Sequence, residues 1–228
     1  GADEIRAALT RVGYRHVLAD EEISRVRVDG CGVELDLGAA GKGYAVDRAV
    51  AVLKSHGIQD GFVSCGSTSF ALGSPPHHDG WRIGIRDPGR PDRVIRPIRI
   101  RDRAISTSGA YEQFDECEGT RHGHILDPRT GRPVVNPGSA TVIAATATEA
   151  DILSTAAFVL GAGEAFALMA SQDEVEACFL EERKGDMFLE ATPGWDGIES
   201  EGLTRRRFLA GLLTAIGCHI LKPSAAGS

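Results

Sequence analysis

The stretch ATVIAATATEADILSTAAFVLG, residues 140–161, decides the fold. Its first part, ATVIAAT at 140–146, reads as a short strand. TEADILSTAAFVLG then has helical spacing and stops at Gly161, where a C-terminal cap belongs. Two capping boxes fit the start of that helix, Thr146 with Glu149 or Thr148 with Asp151. The first leaves Asp151 free for other work.

Working outward, EVEACFLEERKGDMFLEAT reads as a closing hairpin that turns at Lys184-Gly185. Upstream, GFVSCG, WRIGIRDP and PIRIRDRAI are short strand candidates divided by Gly and Pro. GYAVDRAVAVLKSHG predicts a helix with Gly57 at its end. VRVDGCGVELDLG alternates Val26 and Val28, then Val33, Leu35 and Leu37, around Asp29-Gly30, and predicts a hairpin. DEIRAALTRV predicts a short amphipathic helix stopped by Gly13. Strands and helices mix without a regular βαβ rhythm and without an internal repeat. The expected class is α+β, a largely antiparallel sheet flanked by helices.

With 228 residues, 42% of them apolar, the chain can fill a genuine core, which argues against disorder. A net charge of −7 repels nucleic acid, so none is expected as a partner. One basic strip runs from Arg82 to Arg103; its alternation with Ile98 and Ile100 predicts a half-buried strand with a solvated arginine face. Cys31, Cys65, Cys117, Cys178 and Cys218 form no C-x-x-C pair, and their odd number argues against a full disulfide framework. Buried free thiols are the expectation. The chain opens on Gly1-Ala2 with nothing resembling a signal peptide, as a processed product, a trimmed chain or a fragment would.

Three polar clusters could carry chemistry. In LDLGAAGKGYAVDRA, Gly38, Gly41 and Gly43 surround a strand-to-helix junction that also carries Lys42, and such glycines let backbone N–H groups approach an anion. A tight turn entering a helix explains them equally. This is no P-loop, because Gly43 rather than Ser or Thr follows the lysine. In RHGHILDPRTGRPV, Asp127-Pro128 with Thr130-Gly131 reads as a turn, which leaves His122 and His124 unexplained. They are a possible metal pair, although surface histidines entering a turn are commoner. On the helix after residue 146, Asp151 and Thr155 stand four apart, so a carboxylate and a hydroxyl could share one hard cation. Oxygen-only ligands suit Mg²⁺.

Six segments stand in the order and spacing of one family: LDLGAAGKGYAVDRA, GFVSCGSTSFALG, WRIGIRDPGRP, AISTSGAYEQF, HILDPRTGRPV and TVIAATATEADILSTAAFVLG. From about Gly13 to about Ala191 the chain resembles the ApbE-like FAD:protein FMN transferases. The resemblance implies an ApbE-like, T-fold-related core, FAD as substrate, Mg²⁺ as cofactor, and transfer of FMN to a Ser or Thr of an acceptor protein with release of AMP. It further implies flavin contacts at Asp36, Ala39 and Ile125, a metal bound by the Gly41 carbonyl with Asp151 and Thr155, and a catalytic role for His124. An FAD pyrophosphatase and a non-catalytic flavin-binding module are the alternatives.

Ser64, Cys65, Gly66 and Ser67 stand where the family usually carries Asn-x-Gly-Gly, which puts Ser67 where glycine's backbone freedom is expected. Family members also carry a sizeable segment before the equivalent of residue 13, so residues 1–202 are expected to form a transferase domain lacking that segment. In the basic-apolar tail 203–228, LTRRRFLAGLLTAIGC at 203–218 resembles a twin-arginine export signal with a crude lipoprotein cleavage site at Cys218. Phe208 to Leu221 is shorter than the about 20 residues that span a bilayer, so the tail is expected to dock on the domain or touch a membrane peripherally. The resemblance implies a periplasmic or membrane-associated bacterial protein.

Overall fold

A computed structural model describes residues 1–109, 114–117, 120–135, 138–183 and 186–198. The 203–228 tail and the Lys184-Gly185 turn lie outside the described residues. From the amino end the chain forms helix α1 (Ala2–Leu9), a 3₁₀ turn at Tyr14–His16, strands β1 (Val17–Asp20) and β2 (Arg25–Val28), and helix α2 (Gly41–Ser55). Strands β3 (Gly61–Cys65), β4 (Thr68–Leu72), β5 (Trp81–Asp87), β6 (Arg90–Ile100) and β7 (Arg103–Gly109) follow. Then come β8 (Phe114–Cys117), β9 (Thr120–Gly123), β10 (Leu126–Asp127), β11 (Arg132–Pro133) and β12 (Ser139–Ala144). Helices α3 (Ala147–Leu160) and α4 (Ala162–Met169), strands β13 (Glu176–Arg183) and β14 (Asp186–Ala191), and a 3₁₀ turn at Pro193–Ile198 complete the described chain.

A six-stranded sheet in the order β14-β13-β12-β7-β4-β3 forms the centre, and every neighbouring pair in it is antiparallel. This is the α+β arrangement the sequence predicts. Alternation sorts the side chains to two faces. Phe70 and Leu72 of β4, Ala104 of β7, Ala140, Val142 and Ala144 of β12 and Phe179 of β13 point to one face, where they pack with Val46, Val50, Ala150 and Phe158 of α2 and α3. Their sequence neighbours Ala71, Ile105, Ile143 and Cys178 point to the other, under the β5–β6 ribbon and Trp195. Ile85, Ile98 and Ile100 of the ribbon are buried there, while Arg82, Arg86 and Arg99 are exposed. The solvated arginine face is as expected.

Four readings of the sequence need correction. The hairpin around Asp29-Gly30 does not form: β2 pairs with β1 instead, Val17 opposite Val28 and Asp20 opposite Arg25. Residues 33–37 make no strand, and Leu35 and Leu37, 51% and 70% exposed, find no sheet among the described residues to cover their apolar alternation. PIRIRDRAI is two strands rather than one, because the chain reverses at Asp102, whose φ of 51° is left-handed and whose carboxylate accepts the Gly73 N–H at 2.8 Å. Strand β4 and helix α4 went unpredicted; all five residues of β4 are buried, so it shows no alternation, and α4 starts directly after the glycine that ends α3. Finally, Cys178 is buried as expected, but the Cys31 and Cys65 thiols are exposed.

Candidate functional site

On its helix-facing side the central sheet changes from carbon to hydroxyl along two adjacent strands. Thr68 follows the parity of Phe70 and Leu72, and Ser106 and Ser108 follow Ala104, so all three point under α3. The register places Thr68 directly opposite Ser106, and their hydroxyls lie 2.9 Å apart. From α3, the face formed by Ala147, Ala150, Asp151, Ser154, Ala157 and Phe158 is buried against the sheet at helical spacing. Asp151 and Ser154 therefore land on the hydroxyl end of the core. Ser154 bonds to Ser106 at 3.2 Å and to Ser108 at 3.0 Å, and Ser108 lies 3.3 Å from the Thr155 hydroxyl.

The Asp151 side chain is 1% exposed as a residue, so its charge must be answered from within the protein. Oδ2 accepts the Gly43 N–H at 2.9 Å. Oδ1 accepts the Thr68 hydroxyl at 3.0 Å and, more weakly, the Ser106 hydroxyl at 3.5 Å. The Lys42 ammonium reaches the same Oδ1 at 3.0 Å and also donates to the Gly38 carbonyl at 3.4 Å. The anion that the glycine motif admits in this structure is thus the chain's own carboxylate. Thr155 stands one turn further on, and its hydroxyl donates to the Asp151 carbonyl at 3.3 Å rather than to the carboxylate.

Helices α2 and α3 cap each other. The Gly43 N–H is one of the first-turn donors of α2 that has no partner within its helix, and Asp151 supplies one, with the favourable charge for that end. In return Asp47 of α2 accepts the Ala147 N–H at 2.8 Å, the Thr148 N–H at 2.9 Å and the Thr148 hydroxyl at 2.6 Å at the start of α3. Thr146 adds the cap expected of the first box, accepting the Glu149 N–H at 3.2 Å, while Thr148 serves Asp47 rather than Asp151. Gly43 is required by closeness: a Cβ there would stand 2.3 Å from the Ala147 carbonyl oxygen and 2.5 Å from the Thr148 Cα.

The other predicted residues distribute around this junction. Gly41 opens α2, where a Cβ would meet nothing within 4 Å. Asp36 and Ala39 are exposed in the loop before it, and Asp36 accepts the Gly38 N–H at 2.7 Å. Gly66 takes the left-handed conformation of the β3–β4 turn, with φ of 59°, and Ser67 does not require it. His124 is exposed just after β9, and Ile125 packs on the apolar core. The turn forms as expected, Asp127 accepting the Arg129 N–H at 2.8 Å and its guanidinium at 3.0 Å. That guanidinium holds the Asp127 carboxyl below the usual carboxylate range. It also donates to the Val159 carbonyl at 3.5 Å, so the histidine turn leans on α3 one turn beyond Thr155.

No group of three or more His, Cys, Asp or Glu side chains converges on a metal-sized point among the described residues, and the side chain of His122 lies outside them. A separate open hollow of about 420 Å³ lies between the start of α4 and β13–β14, lined among others by Gly163, Leu180, Arg183 and Phe188. It shares no residue with the Asp151 cluster. Sequence reading missed Thr68, Ser106, Ser108, Ser154 and Asp47. The trace of the strand hydroxyls is the run STS at 106–108 and Thr68, and its meaning depends on which strands pair.

A family model described as the ApbE family matches residues 1–179. Among curated relatives, the FAD:protein FMN transferase of Treponema pallidum is 36% identical over 193 residues, covering 78% of this chain and 53% of that protein. The chain spans about half the length of the curated relatives it matches. Among solved structures, the ApbE protein of Thermotoga maritima superposes with a TM-score of 0.76 at 38% identity, over 88% of this chain and 64% of that one. The flavin transferase ApbE of Vibrio cholerae gives 0.74 at 27% identity, over 87% and 62%.

Proposed function

The chain belongs to the ApbE family, and on that premise we propose that it transfers FMN from FAD to a serine or threonine hydroxyl of an acceptor protein, releasing AMP. The observation that carries this reading is the contact between the glycine motif and α3, in which the Gly43 N–H and the Lys42 ammonium both meet the buried Asp151 carboxylate. That two polar motifs more than one hundred residues apart in sequence meet at one junction supports reading them together.

The donor set fits a hard divalent cation. Asp151, the Thr155 hydroxyl and the main-chain carbonyl of Gly41 would hold it, all through oxygen and few enough for the ion to keep waters, and the space beside Gly41 is open. Mg²⁺ bound there would supply charge neutralisation on the dinucleotide's phosphate oxygens. Asp36, Ala39 and Ile125 are assigned to the flavin. In the reaction, the acceptor hydroxyl oxygen bonds to the FMN phosphorus, and the bridging P–O bond breaks with its electron pair going to AMP. His124, exposed at the mouth of the turn, is assigned to take the hydroxyl proton.

The test is incubation with FAD, Mg²⁺ and a candidate acceptor, read by in-gel flavin fluorescence and by AMP in solution. A fluorescent acceptor band with AMP supports transfer. AMP with free FMN and no band would replace it with hydrolysis, and neither product would leave flavin binding alone. No described helix is long and apolar enough to cross a membrane. On the family premise the chain belongs in the bacterial periplasm or at its membrane, and its appearance with cytoplasmic markers on fractionation would refute that placement.

A further inference from the structure

We propose that Lys42 is a resident counter-ion in the metal site, and that a divalent cation enters by exchanging with its ammonium on Asp151 Oδ1. The proposal rests on the metal reading above and adds how the site is kept in the absence of metal.

A carboxylate offers about four lone-pair positions. On Asp151 they are unevenly used: Oδ2 takes the Gly43 N–H, whereas Oδ1 takes the Thr68 hydroxyl, the Ser106 hydroxyl and the Lys42 ammonium, which leaves that oxygen no place for a further ligand. Three of these partners cannot leave. Gly43 is main chain in α2, locked against Ala147, and Thr68 and Ser106 are buried on paired central strands. Lys42 differs: its side chain is 36% exposed, against 2% for that of Asp151, and it arrives on a flexible four-carbon arm. Its ammonium sits between two oxygens, Asp151 Oδ1 at 3.0 Å and the Gly38 carbonyl at 3.4 Å, as a cation would. An ion that takes Oδ1 must therefore displace this one partner. Without some cation there, Asp151 would be a buried charge answered only by neutral donors, which is costly.

The experiment titrates the full chain with Mn²⁺ alone, without FAD, and follows free Mn²⁺ by electron paramagnetic resonance. Lys42→Gln keeps a hydrogen-bond donor but removes the competing charge, so it should bind Mn²⁺ about tenfold more tightly than the parent. In EDTA it should melt below the parent, and Mn²⁺ should raise its melting temperature by the larger amount. Lys42→Arg, which keeps the charge and grips a carboxylate through two N–H groups, should bind Mn²⁺ more weakly than the parent. If Lys42→Gln binds Mn²⁺ no more tightly than the parent, exchange is refuted. Should Lys42→Gln not fold, Lys42→Arg decides, and parental affinity in it would overturn the proposal. Asp151→Asn separates the two levels. Loss of Mn²⁺ binding there, with unchanged affinity in Lys42→Gln, removes only the exchange, whereas parental binding in Asp151→Asn removes the metal reading itself.

Discussion

Asp151 meets Lys42 and Asp127 meets Arg129 at the same 3.0 Å, yet the two pairs sit in opposite surroundings. Asp151 is buried between a sheet and two helices and is also held by Gly43 and Thr68. Asp127 lies in a surface turn, and its guanidinium partner is 54% exposed. Equal lengths conceal unequal consequences, because the worth of an ion pair depends on what its members would meet if separated. A surface pair separates into water at little cost, whereas a buried carboxylate stripped of partners has nowhere to go. The junction of α2 and α3 is therefore where charge and fold are joined, and the histidine turn is where the ion pair stands open to solvent.

The largest test of that contrast is Asp151→Ala. It leaves the Gly43 N–H buried without its carboxylate partner and the Thr68 hydroxyl with Ser106 alone, although Lys42 can turn to water. Breaking a buried pair costs about 3–5 kcal/mol, and the partial exposure of Lys42 sets the expectation at the low end of that range. Urea unfolding measures it directly. A loss of less than about 1 kcal/mol would place the junction in the same class as a surface pair.

His124→Ala asks the converse question of the turn. On the proposed mechanism it lowers FMN transfer by roughly 10²–10⁴-fold, the usual worth of general-base help, while FAD binding and melting temperature stay near the parent's. Equal transfer rates would remove His124 from the mechanism. A large fall in melting temperature would instead make the turn structural.

Asp47→Ala comes next in size. It removes the side chain that accepts two N–H groups and one hydroxyl at the start of α3, and loss of such a cap costs about 1–2 kcal/mol. Thr146 still caps the same end, which keeps the loss below that of Asp151→Ala. If the two variants unfold at the same urea concentration, the reciprocal capping is symmetrical after all.

Much of this is legible in the sequence alone, and the rest fails for definable reasons. Helix α3, with its Thr146 cap and its stop at Gly161, was readable because caps and apolar period are local. The β13–β14 hairpin was likewise local, one strand following directly on the other. Strand β4 was invisible because burial on both faces erases alternation, and the turn at Asp102 because no Gly or Pro marks it. Val33, Leu35 and Leu37 mislead in the other direction, an apolar alternation with no sheet beside it among the described residues. At the site, the Asp151–Thr155 spacing on α3 could be read from one helix. That Thr68 stands opposite Ser106, and that Asp47 serves a helix one hundred residues away, depends on pairings that local periodicity does not carry.

The smallest expected effect is the pH response of the turn. Because Arg129 depresses the Asp127 carboxyl in the folded chain, that pair contributes stability above the carboxyl's unfolded value, about pH 4, and loses it as pH falls through the lower folded value. Arg129 itself is shifted upward by the same partner, in a range far above any working pH. Acidification from pH 5 to pH 3 should thus lower the melting temperature of the parent slightly more than that of Asp127→Asn, and added salt should shrink the gap, since the pair is open to solvent. Salt should leave the difference between the parent and Asp151→Asn nearly untouched, because those charges are screened little. If salt erased both differences alike, burial would not be what separates the two pairs, and the contrast between junction and turn would fail at its physical root.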